Sequence, residues 1–308
     1  MNLLKQRFAP AVWSIIYLLL LLSLLTPFSM VTAFLLVVPV AVLFAALPLK
    51  LFMLHIVPVW LAVALIHPIF LVMAAFFLVP GVIMGQLYRK QEPAMKVLRY
   101  GLAALLLELV LLLVVGTAFF QLDVNQYVDD IVTMTTQPLE DMGSSGALTG
   151  GLTWTAEQSE AISRMTQMML PFAMILSSLL IVAITHAIAR PVLNRMGVSV
   201  PALKRAKDWR LPRSLIWYYL LVVILDFASQ DSDSRFLEVI VVNATPLLQL
   251  CFMIQALGFF FFLADNRKWH PILPILSAIP IVLFPPMQII GILDLVFPLR
   301  QAFSKNKR

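Results

Sequence analysis

From Gly101 to Phe120 the chain runs for 20 residues with a single ionisable side chain, Glu108. A helix of that length is about 30 Å long, the thickness of the hydrocarbon core of a bilayer. In lipid the backbone must satisfy its own polar groups, so such a run dictates a transmembrane helix. Runs of the same kind recur along the chain. They place spans near 11–27, 29–47, 51–66, 69–88, 98–121, 165–189, 214–229 and 237–264, with Pro27, Pro39, Pro48, Pro58, Pro68 and Pro80 punctuating the first half. The third and seventh are short, as tilted or partly re-entrant pieces would be. Residues 271–298 carry Pro271, Pro274, Pro280, Pro285 and Pro286 and read either as one long broken span or as a hairpin of two short ones. Composition excludes the alternative of a water-soluble fold. Charged residues are 12% of the chain where a soluble domain carries about a quarter, and mean hydropathy is +0.94. The expected fold class is an all-α polytopic bundle with about eight spans plus a C-terminal hairpin or broken span, and no soluble domain.

The basic residues set the orientation. With the N-terminus inside, 20 of the 22 lysines and arginines fall on the inner side, and only Arg164 and Arg235 fall outside. Both termini are therefore expected in the cytoplasm, and the hairpin alternative for 271–298 is the one that keeps Lys305, Lys307 and Arg308 there. The same distribution explains the net charge of +6 without nucleic acid, because the cations sit in short segments between apolar runs. The N-terminal apolar run lacks a small-residue cleavage site and reads as an uncleaved first span. Three regions follow: a six-helix bundle over 1–190 with an outer loop at 123–164, a basic cytoplasmic loop over 191–213, and a further transmembrane region over 214–308. In the outer loop, residues 143–151 have the composition of a flexible linker, and Thr155 with Gln158 fits a capping box opening a helix that runs into the sixth span.

Few polar side chains lie deep in the runs. Glu108, near the centre of the fifth span, shares a face with the small residues Gly101 and Ala104; it reads as a ligand or proton site, or as a glutamate with a structural partner. Glu238, Thr245 and Gln249 share one face of the eighth span; they read as interhelical hydrogen-bonding groups, with Glu238 and Gln249 as candidate ligand residues. Trp154 reads as an aromatic for a bound ring or as an interfacial anchor. Lys204, Arg205, Lys207 and Arg210 are candidates for docking a partner protein or anionic lipid. Asp231 and Asp233 offer a weak Asp-x-Asp cation set beside the simpler reading of a solvated loop, and the four histidines lack ligand spacing, so no metal site is assigned. Cys251 is the sole cysteine, which excludes an intramolecular disulfide. No phosphate-binding loop, zinc-protease motif or nucleophile elbow is present. The chain is read as a non-enzyme with no cofactor.

The stretch from Asp208 to Trp217, then Asn243, Cys251, Ile254 with Gln255, the aromatic run Phe259–Phe262, Trp269, Gly291 and Asp294, resembles the YybS-like family of bacterial membrane proteins. The resemblance covers essentially the full chain and implies a multi-pass protein of the bacterial plasma membrane. The first six spans of that family are distantly similar to the substrate-binding components of energy-coupling-factor transporters. Those components hold a vitamin or related small molecule near the outer face and work with a coupling membrane protein and two ATPases. The resemblance thus implies a small-molecule substrate and a coupling or regulatory membrane partner, with Glu108 and Trp154 in the ligand region. Two features depart from the pattern: the alanine motif of the first helix is absent from residues 11–27, and several further spans follow the sixth. They leave open a scaffold or regulator that docks a signalling or envelope partner.

Overall fold

The structure is a computed structural model that describes residues 3–144, 154–230, 234–270, 272–297 and 299–304. The Gly/Ser stretch within 145–153, Asp231, Asp233, Pro271 and the final basic residues Lys305, Lys307 and Arg308 lie outside the described residues. Among the described residues there is helix and no strand. The helices are α1 (Leu3–Ser23), α2 (Ser29–Ala33), α3 (Val37–Ala46), α4 (Leu49–Ala64), α5 (Ile69–Arg89), α6 (Ala94–Phe120), α7 (Val124–Ser144), α8 (Ala156–Met168), α9 (Leu170–Arg195), α10 (Leu215–Gln230), α11 (Arg235–Asn266), α12 (Ile272–Leu276), α13 (Ala278–Leu283), α14 (Gln288–Val296) and α15 (Leu299–Ser304). Five described segments are long and apolar enough to cross a membrane: 29–46, α5, α6, α9 and α11. The chain divides into two compact units, residues 1–124 with 173–203, and residues 125–172 with 204–308.

The first unit is built around α3. Every residue from Val37 to Ala45 is buried, as expected of a helix that is apolar on all sides. Its closest neighbour is α5, and the contact is made by Gly81 and Gly85, four residues apart. A methyl group on Gly81 would fall 2.5 Å from Val40 Cγ1, and one on Gly85 would fall 2.9 Å from the Ala41 carbonyl oxygen. Small residues at this spacing let two backbones meet, which is the main source of helix association where lipid removes the hydrophobic drive. The glycine pair of α5 thus packs against Val40, Ala41 and Phe44 of α3. The carbonyl of Leu47, at the end of α3, accepts a hydrogen bond from Arg89, whose guanidinium also stacks on Phe44 at 4.3 Å. That places a cation at a helix C-terminus. Helix α6 ends at Gln121 in the left-handed conformation (φ 52), and the Leu122 N–H closes the end on the Gly116 carbonyl at 3.0 Å.

In the second unit the expected outer loop is in good part helical. Helix α7 buries Val128, Val132 and Thr136, one stripe at a spacing of four, and its other faces are too polar to mark a span. The capping box on α8 is present: Thr155 Oγ1 accepts from Gln158 N, and Gln158 Oε1 accepts from Thr155 N. Only Met169 separates α8 from α9. Asn243 of α11 pins this junction, accepting from Phe172 N at 2.7 Å and donating to the Met168 and Val239 carbonyls at 2.7 Å each.

The segment after α11 is a hairpin. It leaves the C-terminal end of α11, turns at the 3₁₀ turn Pro285–Met287, and returns along α14 to the same end, where Asn266 Nδ2 donates to the Phe303 carbonyl at 2.9 Å. Its outward leg, α12 with α13, is about 18 Å long and so is too short to cross a bilayer alone. The return leg is held by contact at Gly291, where an added Cβ would lie 2.0 Å from the Phe252 carbonyl oxygen.

Candidate functional site

Three helix faces converge at the N-terminal end of α11. Ala161, Arg164, Met165 and Met168 share one face of α8; Asp226, Ser229 and Gln230 close the last turn of α10; Arg235, Glu238, Val241 and Val242 line the first two turns of α11. Together they bound a cleft of about 1120 Å³. It is larger than the 300–1,000 Å³ typical of small-molecule pockets. Arg164 is 3.5 Å from Glu160 in an exposed i,i+4 pair, worth little where water screens it. Arg235 and Glu238 are exposed to the cleft and make no ion pair among the described residues. The cleft therefore presents two guanidinium groups and two carboxylates, Asp226 and Glu238, to whatever fills it. The two arginines are the same two that the basic-residue count leaves off the basic side.

The other expected site residues are distributed as follows. Glu238 lines the cleft. Gln249 is half-buried three turns further along α11. Trp154 is a fastener: its Nε1–H donates to Ser159 Oγ at 2.9 Å, and Ser159 in turn donates to Glu140 and has Thr136 Oγ1 at 2.9 Å. With Asp129, which accepts from Ser163 and from Gln167 at 2.8 Å, this ties α7 to α8 through polar groups. Glu108 belongs to the first unit. Its Oε2 is buried without a hydrogen-bond partner among the described residues.

Two polar clusters join residues that the sequence shows only singly. In the first unit His186 is buried, with Nδ1 3.2 Å from Tyr88 Oη and Nε2 unpartnered among the described residues. The i,i+4 spacing of His186 and Arg190 was its only sequence signal. In the second unit Asp294 and Arg300 form an ion pair whose side chains are 1% and 4% exposed. Arg300 Nε and Nη2 both lie 2.9 Å from Asp294 Oδ2, and Arg300 also donates to the carbonyls of Lys207 at 2.7 Å and Trp209 at 2.9 Å. Gln255 bridges Asp294, at 2.5 Å, to the Leu211 N–H, at 2.9 Å. This satisfied network lies about 30 Å along α11 from Arg235 and fixes the backbone of residues 207–211. Of the four basic residues expected to dock a partner, Arg210 is exposed on this fixed segment, Lys204 and Arg205 are exposed just before it, and Lys207 pairs with Asp265 at 2.9 Å. Among the described residues no cluster of His, Cys, Asp or Glu has the makings of a metal site.

The YybS protein of Bacillus subtilis (strain 168), itself labelled uncharacterized, is 24% identical over 298 residues, which is 90% of this chain and 95% of that protein. No solved structure matches. A family model described as predicted membrane protein matches residues 14–295, from α1 to the end of α14. The chain, an all-helical multi-pass membrane protein, belongs to the DUF2232 family.

Proposed function

We propose that the chain is a small-molecule-binding protein of the bacterial plasma membrane, related to transport and not itself an enzyme, whose ligand occupies the cleft at the N-terminal end of α11. The observation that carries this reading is the convergence of Arg164, Arg235, Asp226 and Glu238 on one cleft of about 1120 Å³. Guanidinium groups hold carboxylates and phosphates in a fixed fork, and carboxylates hold ammonium groups. The lining suits a zwitterion, or a molecule with separate acidic and basic ends. The apolar wall of Met165, Met168, Val241 and Val242 suits its carbon skeleton. In this proposal the energy for any movement comes from a coupling membrane protein, as the likeness to energy-coupling-factor components implies.

The test is native mass spectrometry of the protein released gently from its own membranes. Wild type carries a small molecule of a few hundred daltons, and Arg235→Gln and Glu238→Gln lose it while keeping the thermal stability of wild type. Retention by both variants would refute the site. A scaffold or regulatory role has the rigid, exposed basic segment at Lys204, Arg205 and Arg210 in its favour, and it becomes the better reading if wild type carries a partner protein and no small molecule.

A further inference from the structure

We propose that the pocket at the C-terminal end of α11 binds the phosphate headgroup of an anionic phospholipid. This pocket, of about 600 Å³, is walled by Arg205, Lys207, Lys268, Trp269, Phe261 and Pro274. Its one carboxylate, Asp265, is already paired with Lys207 at 2.9 Å. Arg205 and Lys268 make no ion pair among the described residues, so the pocket holds net positive charge.

Both cations are mounted on fixed backbone. The Arg205 segment is held from several sides: Arg300 of α15 holds the carbonyls of Lys207 and Trp209, Trp209 Nε1 donates back to the Lys204 carbonyl at 2.8 Å, and Lys207 pairs with Asp265 of α11 at 2.9 Å. Gly258 makes room for this segment, since a methyl group there would meet the Ala206 carbonyl oxygen at 3.2 Å. Lys268 sits in the turn that ends α11. Its N–H bonds the Asp265 carbonyl at 3.3 Å and the Trp269 N–H bonds the Ala264 carbonyl at 2.9 Å, the paired bonds of a Schellman cap. The residue at its position takes φ 54. Glycine is the usual occupant there because a Cβ is disfavoured at positive φ. Lysine here occupies a position where local conformation favours glycine, as Gln91 and Gln121 do at other helix ends, so the turn fixes where its side chain starts.

The surroundings select an amphiphile over a free anion. The pocket lies where the apolar run Phe259–Leu263 gives way to Asp265, Arg267 and Lys268, the level at which a span leaves the hydrocarbon. Phe261 and Pro274 form its apolar wall, and Ile272, Leu273 and Ile275 beside it are exposed, as chains that face acyl tails are. Trp269, 39% exposed, is at the depth favoured by interfacial tryptophan. Basic groups at the end of a span attract anionic lipid.

Native mass spectrometry of the full chain in detergent, titrated with phosphatidylglycerol, phosphatidylcholine or inorganic phosphate, tests the assignment. Wild type retains one phosphatidylglycerol in preference to phosphatidylcholine, and inorganic phosphate does not displace it. Lys268→Gly and Arg205→Gln each weaken phosphatidylglycerol binding about five-fold, the effect of one basic charge at a membrane surface, and leave phosphatidylcholine binding unchanged. Lys268→Gly keeps the cap and is at least as heat-stable as wild type, so its loss of lipid is not unfolding. Arg205→Gln, on a separate segment, gives the same reading should the cap shift. Equal binding of the two lipids, wild-type binding by both variants, or displacement by inorganic phosphate would each overturn the assignment.

Discussion

Gly291→Ala should loosen the contact between α11 and α14, and its size follows from one distance. The added Cβ would sit 2.0 Å from the Phe252 carbonyl oxygen, 2.9 Å from its carbon and 3.1 Å from the Ala256 nitrogen. All three are backbone atoms of a helix interior, so no side-chain rotation relieves them. Reaching ordinary contact means parting the helices by about 1.4 Å, and a gap of that order forfeits half or more of the dispersion energy of the atoms it separates. Overpacking of this kind costs up to about 3 kcal/mol, against about 1 kcal/mol gained by replacing glycine with alanine in a helix. The net is a loss of about 2 kcal/mol, or a fall in Tm of about 4–8 °C. Cys251, the sole cysteine, is half-buried directly before Phe252, so the rate at which it reacts with a fluorescent maleimide during heating reports opening at this contact. Gly101→Ala is the control. Its Cβ meets Met84 Cγ and Sδ at 3.0 Å and Val182 Cγ1 at 3.2 Å, and the flexible methionine can give way, so the change should stay within about 1 kcal/mol of wild type. A Gly291→Ala protein as stable as wild type, or an equal loss in Gly101→Ala, would refute the reasoning.

Other perturbations separate structural from binding roles. Asp294→Asn strands the Arg300 guanidinium in a buried site and should cost about 3–5 kcal/mol, seen as a fall in folded yield on size-exclusion chromatography. Asn243→Ala leaves the Phe172 N–H and the Met168 carbonyl without their partner and should cost about 1–3 kcal/mol, with faster hydrogen exchange around residues 168–172. Trp154→Phe removes one indole hydrogen bond, a loss of about 1 kcal/mol; α7 and α8 should exchange faster while retained small molecule is unchanged, and loss of that molecule would return Trp154 to the ligand site.

The fold class was legible because lipid leaves the backbone one choice, and runs such as 101–120 announce it. The C-terminal hairpin was legible only as one of two readings of 271–298, favoured by the basic tail, and the prolines alone did not locate its turn. Helix α7 was not, because its buried stripe of Val128, Val132 and Thr136 is short and mixed with polar residues, and a hydropathy reading searches for long runs. The Gly81/Gly85 pair lay in plain view but has meaning only once α3 is known to cross it. The Asp294–Arg300 pair is six residues apart, yet its burial depends on carbonyls of Lys207 and Trp209 some ninety positions earlier, which no local pattern records. The cleft was legible only as an exception. Arg164 and Arg235 stood out as the two cations on the wrong side, and the chain distance between them concealed that α8, α10 and α11 bring them to one place.

The most direct test of the central claim sets Arg235→Gln beside Glu108→Gln in native mass spectrometry of protein taken from its own membranes. The cleft assignment predicts that the small molecule is lost from Arg235→Gln and retained by Glu108→Gln. Loss from Glu108→Gln with retention by Arg235→Gln would contradict it and move the ligand to the first unit.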